Sequence, residues 1–338
     1  IIVADDFSTD NTSEIVEGYV KKYPRIIRYL KNEKNIGLAG SLNRGIIESK
    51  NDIIISLHAD CIPPKNWLKN IVRYFSDASV GVVTSRIVGD VKKLNFINKT
   101  FASLYASLQE DDKNWHETQS FGGKADAFRK KMLEEVGLFD DSFHAAGEDT
   151  DLYIKISRKG YKVIANPVPV EHILSSHQSS LIKHLKKAVQ YSESESLLFK
   201  RYKKSIHINH FFLLLLTAIS FISILFLKSF YSIFLTFIVA FLFVIYFRDF
   251  SRYIGSVVPI GIIISLVNLR QLNPFLIFLS GWLVFNYGVG LTTLIPVRKQ
   301  LNFSYIKVIF GSFLIMIFEI LKSFGFLKGL IFLKDKRK

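Results

Sequence analysis

Three features of the sequence predict an α/β domain followed by an all-α membrane domain. Up to about residue 175, short apolar runs alternate with helical patterns, the signature of strands and helices layered around one sheet. Beyond residue 206 the mixed composition gives way to long apolar runs: Phe211–Leu227, Ile233–Phe247, Ile254–Val267 and Phe275–Val297. Basic residues gather at the ends of those runs, and the 338-residue chain carries a formal net charge of +15.

Taken in order, Ile1-Ile2-Val3-Ala4 reads as a short strand running into Asp5-Asp6. Asn11 and Glu14 have capping-box spacing and open a helix to about Lys22. Ile26–Leu30 is a second strand and Gly40–Lys50 a helix, while Asp52–Leu57 is a buried strand ending at His58-Ala59-Asp60. Pro63-Pro64 blocks continuation, Trp67–Phe75 is helical, and Val80–Thr84 is the next strand. This order predicts a mostly parallel sheet with helices on both faces. Ligands of such sheets sit at the carboxyl ends of strands, where Asp5, Asp6, His58 and Asp60 fall. The stretch from Phe121-Gly122-Gly123 to Asp141 reads as a glycine turn, a helix and a loop.

Glu148-Asp149-Thr150-Asp151-Leu152 then places three carboxylates within five residues of a basic chain. Clustered carboxylates repel one another and lose hydration on burial. Such a cluster either starts a helix, where acidic residues suit the dipole, or serves a metal, a cation or a mobile proton. Spacing alone leaves both readings open. The alternation of Asp6, Ser8 and Asp10 suggests a calcium loop, but it lacks the glycine and distal glutamate of an EF-hand and follows a strand.

The expected organisation is a domain over 1–175, an amphipathic linker over 176–206, about three to four spans over 207–300, and an interfacial helix with a basic tail over 301–338. The first apolar run comes close to the ~20 residues needed to cross a bilayer. Lys200, Arg201, Lys203 and Lys204 precede it; Arg248 and Arg252 follow the second run, Arg298 and Lys299 the fourth. The positive-inside rule puts these groups and the Lys334–Lys338 tail in the cytoplasm. The localisation expected is therefore a multi-pass cell-membrane protein whose N-terminal domain is cytoplasmic. Tyr305–Leu333 carries Lys307, Glu319, Lys322 and Lys328 among apolar residues and reads as lying in the interface. The linker, with Lys183, Lys186 and Lys187 beside Leu181, Leu185 and Val189, reads as a helix on the same leaflet. The positive charge then points to anionic lipid and not to nucleic acid. Cys61 is the sole cysteine, which excludes an internal disulfide and suits a reducing compartment.

Six pieces in order resemble the inverting glycosyltransferases of family 2, which have the GT-A nucleotide-sugar-binding fold. They are Ile1–Thr12, Asn35–Gly45, Ser56–Asp60, Phe121–Asp141, Glu148–Leu152, and Gly160–Val163 leading to His172. Phe285-Asn286-Tyr287-Gly288-Val289-Gly290 further resembles the last span of succinoglycan-type exopolysaccharide transferases. The resemblance implies a Rossmann-like mixed sheet. Relatives have a further strand and helix ahead of the segment equivalent to Ile1, so the fold is expected to lack its first strand.

The resemblance also assigns roles. Asp5 and Asp6, with Asn35, Gly37 and Asn43, would line the nucleotide pocket, Asp6 accepting from the base. His58-Ala59-Asp60 stands where the family has Asp-x-Asp, so Asp60 with His58 and His172 would hold a divalent metal against the diphosphate. Mn²⁺ suits the imidazoles better than Mg²⁺. Gly122 and Gly123 would lie against the donor sugar. Asp149 matches the catalytic base, a role that contributes about 10²–10⁴-fold, with Glu148 and Asp151 supporting it. The expected partners are a nucleoside-diphosphate sugar, a UDP-sugar first among them, and a polyprenyl-linked or cell-surface glycan acceptor. The Gln-x-x-Arg-Trp motif of processive synthases is not found in the linker. A polyprenyl-phosphate sugar synthase and a degenerate, non-catalytic scaffold are the alternatives left open.

Overall fold

The computed structural model describes residues 1–89, 94–105, 115–143, 146–173, 180–202, 293–295 and 297–333. In chain order the elements are β1 (Ile2–Asp5), α1 (Thr12–Lys22), β2 (Arg28–Lys31), α2 (Gly37–Ile47), β3 (Ile53–Leu57), β4 (Cys61–Ile62) and α3 (Trp67–Val72). A 3-10 turn (Arg73–Ser76) leads to β5 (Val80–Gly89), α4 (Phe96–Tyr105), β6 (His116–Glu117), β7 (Ala125–Arg129) and α5 (Lys130–Val136). Then come α6 (Glu148–Arg158), β8 (Lys162–His172), α7 (Leu181–Tyr202) and α8 (Tyr305–Phe332). The chain divides into two compact units, one holding the strands and the other holding α4, α7 and α8.

In the first unit a six-stranded sheet has the order β3-β7-β5-β8-β4, with β6 on β8. Only β5 and β8 run parallel in it; β7 is antiparallel to both β3 and β5, and β4 to β8. The mostly parallel sheet expected from element order is thereby corrected to a mixed one. The reason is β7, which lies where a helix was read directly after the glycine turn. Its alternation, Ala125 and Ala127 against Asp126 and Phe128, is too short to separate from a helix start by pattern. β1 and β2 form a separate parallel pair. At α1 the expected capping box is not formed: Asn11 makes no side-chain cap, and Asp10 instead accepts from the Thr12 amide at 3.0 Å and its hydroxyl at 2.5 Å.

An apolar cluster lies on each face of the large sheet. On one face Val82 and Phe128 meet Ala39 and Ile46 of α2, Met132 and Leu133 of α5, and Leu152 and Ile156 of α6. On the other, Val83, Ala125 and Ala127 meet Trp67 and Ile71 of α3 with Phe75. Burying each large side chain contributes about 1.5–3 kcal/mol. The strand period of two carries the first face one pleat further along. There the paired row Ile54–Phe128–Val82 is followed by Ser56–Asp126–Thr84. The sheet thus turns from apolar to polar at the end where α6 begins.

In the second unit α8 packs against α4 and α7. Phe101, Ala188 and Phe318 form one buried cluster. His184 is buried, bonds Asn98 Oδ1 through Nε2 at 2.8 Å and stacks on Phe101. α7 and α8 approach closely, because a Cβ at Gly325 would fall 2.5 Å from the Val189 carbonyl oxygen. Lys200 donates to the Gly329 and Leu333 carbonyls, closing the end of α8, and Lys328 pairs with Glu193 at 2.6 Å. α8 is long and apolar enough to cross a membrane by length and composition alone, and 47% of its apolar window is buried. The apolar runs at 211–227, 233–247 and 254–267 lie outside the described residues, as does most of 275–297.

Candidate active site

The His58-Ala59-Asp60 turn follows β3 and is closed at both ends by backbone bonds, from His58 N to Lys124 O (2.8 Å) and from Cys61 N to His58 O (3.0 Å). β4 then pairs antiparallel with the end of β8, with Cys61 opposite His172. That register brings two sequence-distant residues together: His172 Nε2 lies 3.1 Å from Asp60 Oδ2. Burial works to raise the Asp60 pKa, but the hydrogen bond and charge of His172 and the charge of His58 prevail and hold it below the usual carboxylate value. For His58 burial dominates and lowers the pKa, so the imidazole is neutral at pH 7. Its buried Nε2 has no hydrogen-bond partner among the described residues. Among the described residues no three His, Cys, Asp or Glu side chains converge in a metal-holding group.

The acidic pentad is the first turn of α6, entered through Gly147. It is a helix start, as one reading had it, but not a solvated one. Asp151 is fully buried and pairs with Lys155 at 2.9 Å. Asp149 accepts from the Thr150 amide at 2.6 Å and its hydroxyl at 3.3 Å, yet burial outweighs these donors and raises its pKa. Burial, then the charge of Asp149, pushes Glu148 up to about 7. Gly123, at φ +70, faces this turn: a Cβ there would stand 4.0 Å from Asp149 Cβ. The positive φ favours glycine at this point.

Beneath Gly123 lies Asp126, 1% exposed. Burial and then the charge of Asp149 drive its pKa to about 7, against hydrogen bonds from Thr84 and from the backbone of Gly123 and Ser85. The Gly123 backbone also meets the His58 side chain. The Gly123 backbone therefore lies beside His58 and Asp126, with the Asp149 side chain facing it.

The remaining predicted residues gather around α2. Asp6 Oδ1 accepts from Ile36 N at 2.7 Å and Asn32 Nδ2 at 3.0 Å, and Oδ2 accepts from Gly37 N at 2.9 Å. Asp6 thus caps α2, and Asn35 reaches back to its carbonyl at 3.4 Å. Asp5 is buried and accepts from Ser8 N at 2.9 Å and the Tyr29 hydroxyl at 2.5 Å. Burial would raise its pKa, but these donors lower it. Asn43 gives its amide to Phe139 O at 2.8 Å and takes Phe139 N at 3.0 Å, tying α2 to the loop after α5. Asp6 and Asp10 face different partners, so the alternating acids form no calcium loop.

Residues 1–137 match the model described as glycosyl transferase family 2. Over this segment the chain is similar to the family 2 glycosyltransferases. A probable glycosyltransferase, YdaM, of Bacillus subtilis (strain 168) is 30% identical over 177 residues, covering 50% of this chain and 42% of that protein. A poly-beta-1,6-N-acetyl-D-glucosamine synthase of Staphylococcus aureus (strain COL) is 25% identical, covering 50% of this chain and 41% of its own length. A Methanococcus voltae dolichyl N-acetyl-alpha-D-glucosaminyl phosphate 3-beta-D-2,3-diacetamido-2,3-dideoxy-beta-D-glucuronosyltransferase is 23% identical, covering 60% of this chain and 64% of its own. The chain thus spans less than two thirds of the length of the relatives it matches.

The mixed sheet agrees with the GT-A fold that the family resemblance implies. Sequence reasoning missed Asp126, although a signal existed. A carboxylate inside the run Ala125-Asp126-Ala127-Phe128 is out of place in a buried strand unless it serves a site.

Proposed function

We propose that the chain is a membrane-anchored inverting glycosyltransferase with its catalytic domain in the cytoplasm. It moves a sugar from a nucleoside-diphosphate donor, a UDP-sugar first among them, to a polyprenyl-linked or cell-surface glycan acceptor. The observation that carries this reading is that two unlike carboxylates lie on elements approaching Gly123: Asp60, held anionic, in the turn whose His58 meets the Gly123 backbone, and Asp149, buried and of raised pKa, in the first turn of α6. Transfer with inversion needs these two functions on opposite sides of one sugar ring.

Asp149 takes the proton of the acceptor hydroxyl as its oxygen attacks the anomeric carbon. The bond from that carbon to the diphosphate breaks, and its electron pair leaves with the nucleoside diphosphate. Gly122 and Gly123 leave room for the sugar. Asp60 and His172, with the His58 Nε2 that lacks a partner among the described residues, are the groups that would hold a divalent cation at the diphosphate. When bound, Mn²⁺ or Mg²⁺ supplies positive charge against the departing diphosphate. Asp5, Asp6, Asn35, Gly37 and Asn43 shape the nucleotide side, mostly by fixing α2.

Membrane attachment rests on the apolar runs beyond residue 206 and their basic flanks. The lipid-linked acceptor is supported by the archaeal relative, whose name carries a dolichyl phosphate sugar, and the glycan acceptor by the staphylococcal synthase. A donor and acceptor screen on membranes carrying the chain tests the reading. Nucleoside diphosphate release should require Mn²⁺ or Mg²⁺ and a lipid-linked or glycan acceptor. Product formed only on polyprenyl phosphate would make the protein a synthase of lipid-linked sugar. Turnover that survives chelation would overturn the role given to Asp60.

A further inference from the structure

Asp126 is a buried acid without a part in the chemistry above. Its contacts form a short chain of hydrogen bonds under the glycine turn. Gly122 N donates to Thr84 Oγ1 at 3.4 Å, and both the Thr84 hydroxyl and the Gly123 backbone bond the Asp126 carboxyl group. Thr84 and Asp126 stand directly opposite each other on β5 and β7, so the sheet register fixes the pair. Both glycines of the turn are therefore tethered to one spot in the sheet. The second carboxyl oxygen, Oδ2, is buried and has no hydrogen-bond partner among the described residues. A carboxyl group so placed costs stability and repels Asp149, and an apolar residue would avoid both penalties. A purely structural link between β5 and β7 does not need it, because the backbone ladder already joins them.

We propose that Asp126 is a positioning residue for sugar transfer: with Thr84 it holds the Gly122–Gly123 turn at a fixed height between the His58–Asp60–His172 group and Asp149. The proposal rests on Asp149 being the base. A donor sugar lying on Gly123 then meets Asp149 at a distance set from inside the sheet. Displacement of a reacting group by an ångström costs on the order of 10²-fold in rate, so a small slackening of the turn is visible in turnover.

The test uses the full chain in detergent, as wild type and as the variants Asp126→Ala, Asp126→Asn, Thr84→Val and Asp149→Asn. Hydrogen–deuterium exchange is followed at Gly122–Lys124, and UDP release is followed with UDP-N-acetylglucosamine and UDP-glucose. Asp126→Ala and Thr84→Val should speed exchange in the turn about tenfold or more, and Asp126→Asn, which keeps an acceptor oxygen, should restore most of the protection. In parallel, Asp126→Ala should lower kcat per folded molecule by about tenfold or more and change the donor KM far less, with substantial rescue by Asn. Should Asp126→Ala fail to fold, Thr84→Val carries the same two readouts. Wild-type exchange in the turn of these variants overturns the proposal, whether or not either donor is turned over. So does wild-type kcat per folded molecule, as a merely structural residue would give. If Asp149→Asn keeps its rate, the base assignment falls instead, and the exchange result still stands or fails separately.

Discussion

The two sides of Gly123 use the same residue type for opposite ends. On one side Asp60 sits beside His172 and near His58, and its carboxyl is held below the ordinary range. On the other, burial raises Asp126, Glu148 and Asp149, and the charge of Asp149 adds to the rise at Asp126 and Glu148. Burial raises every one of them, and only at Asp60 do the neighbours, two imidazoles, outweigh it. A strand pairing, Cys61 against His172, delivers an imidazole to Asp60. A helix start buries Glu148 and Asp149 side by side, and the charge of Asp149 acts on Glu148 and Asp126. The domain thereby keeps an anion ready for cations and a base ready for a proton within reach of one peptide.

The largest expected effect breaks the raised side. Asp149→Asn removes the proton acceptor and should reduce kcat by about 10²–10⁴-fold while nucleotide affinity stays within severalfold. Calorimetric titration of UDP alongside turnover checks both, and near-normal turnover would move the base elsewhere. In wild type the rate should fall as pH drops through the raised pKa of Asp149. On the low side, Asp60→Asn should weaken Mn²⁺ dependence by about tenfold or more, read as the cation concentration at half-maximal UDP release. An unchanged metal profile would place the cation on other residues.

Stability sharpens the same contrast. Asp126 binds its proton up to about pH 7 in the folded state but only to 3.8 in the ordinary carboxylate. Between those values the unfolded chain has released the proton and the folded chain has not, so stability declines as pH rises. Asp126→Asn should therefore melt above wild type at pH 8, with the advantage shrinking toward pH 4. Asp60 is the reverse. Its lowered pKa contributes stability above 3.8 that is lost on acidification, so Asp60→Asn should melt below wild type at pH 7 and converge with it in acid. Lys155→Ala tests a third arrangement, in which Asp151 is buried but neutralised by a cation. Stranding that carboxylate should cost about 3–5 kcal/mol in denaturant melts.

Much of this was legible in the sequence. Asp60, Gly123 and Asp149 stand out by residue type, and the structure puts them in a turn after a strand, at a positive φ and in the first turn of a helix. His172 was reachable through family resemblance, but its placement depends on β4 pairing with β8 across more than a hundred residues, which no local pattern encodes. Asp6 and Asn43 were read as ligand groups, yet their polar atoms serve backbone amides of α2 and the Phe139 loop. Short polar side chains near turns satisfy local amides first, and spacing cannot separate that use from ligand binding. Asp126 stayed hidden because β7 was read as a helix, a period in which its neighbours no longer mark it as facing inward.

The strand that carries Asp126 also limits how this domain can vary in length. Between Gly123 and Phe128 successive side chains alternate between the two layers of the sheet. One residue inserted or deleted there would rotate the whole segment by half a period. Phe128 would then face α3, alanines would face α6, and Asp126 would be carried away from Thr84 and the turn. Side chains on the rim can be exchanged one at a time, but the count of residues from turn to strand is a fixed ruler. Lineages of this domain should record substitutions in that stretch and lengthen or shorten only outside it.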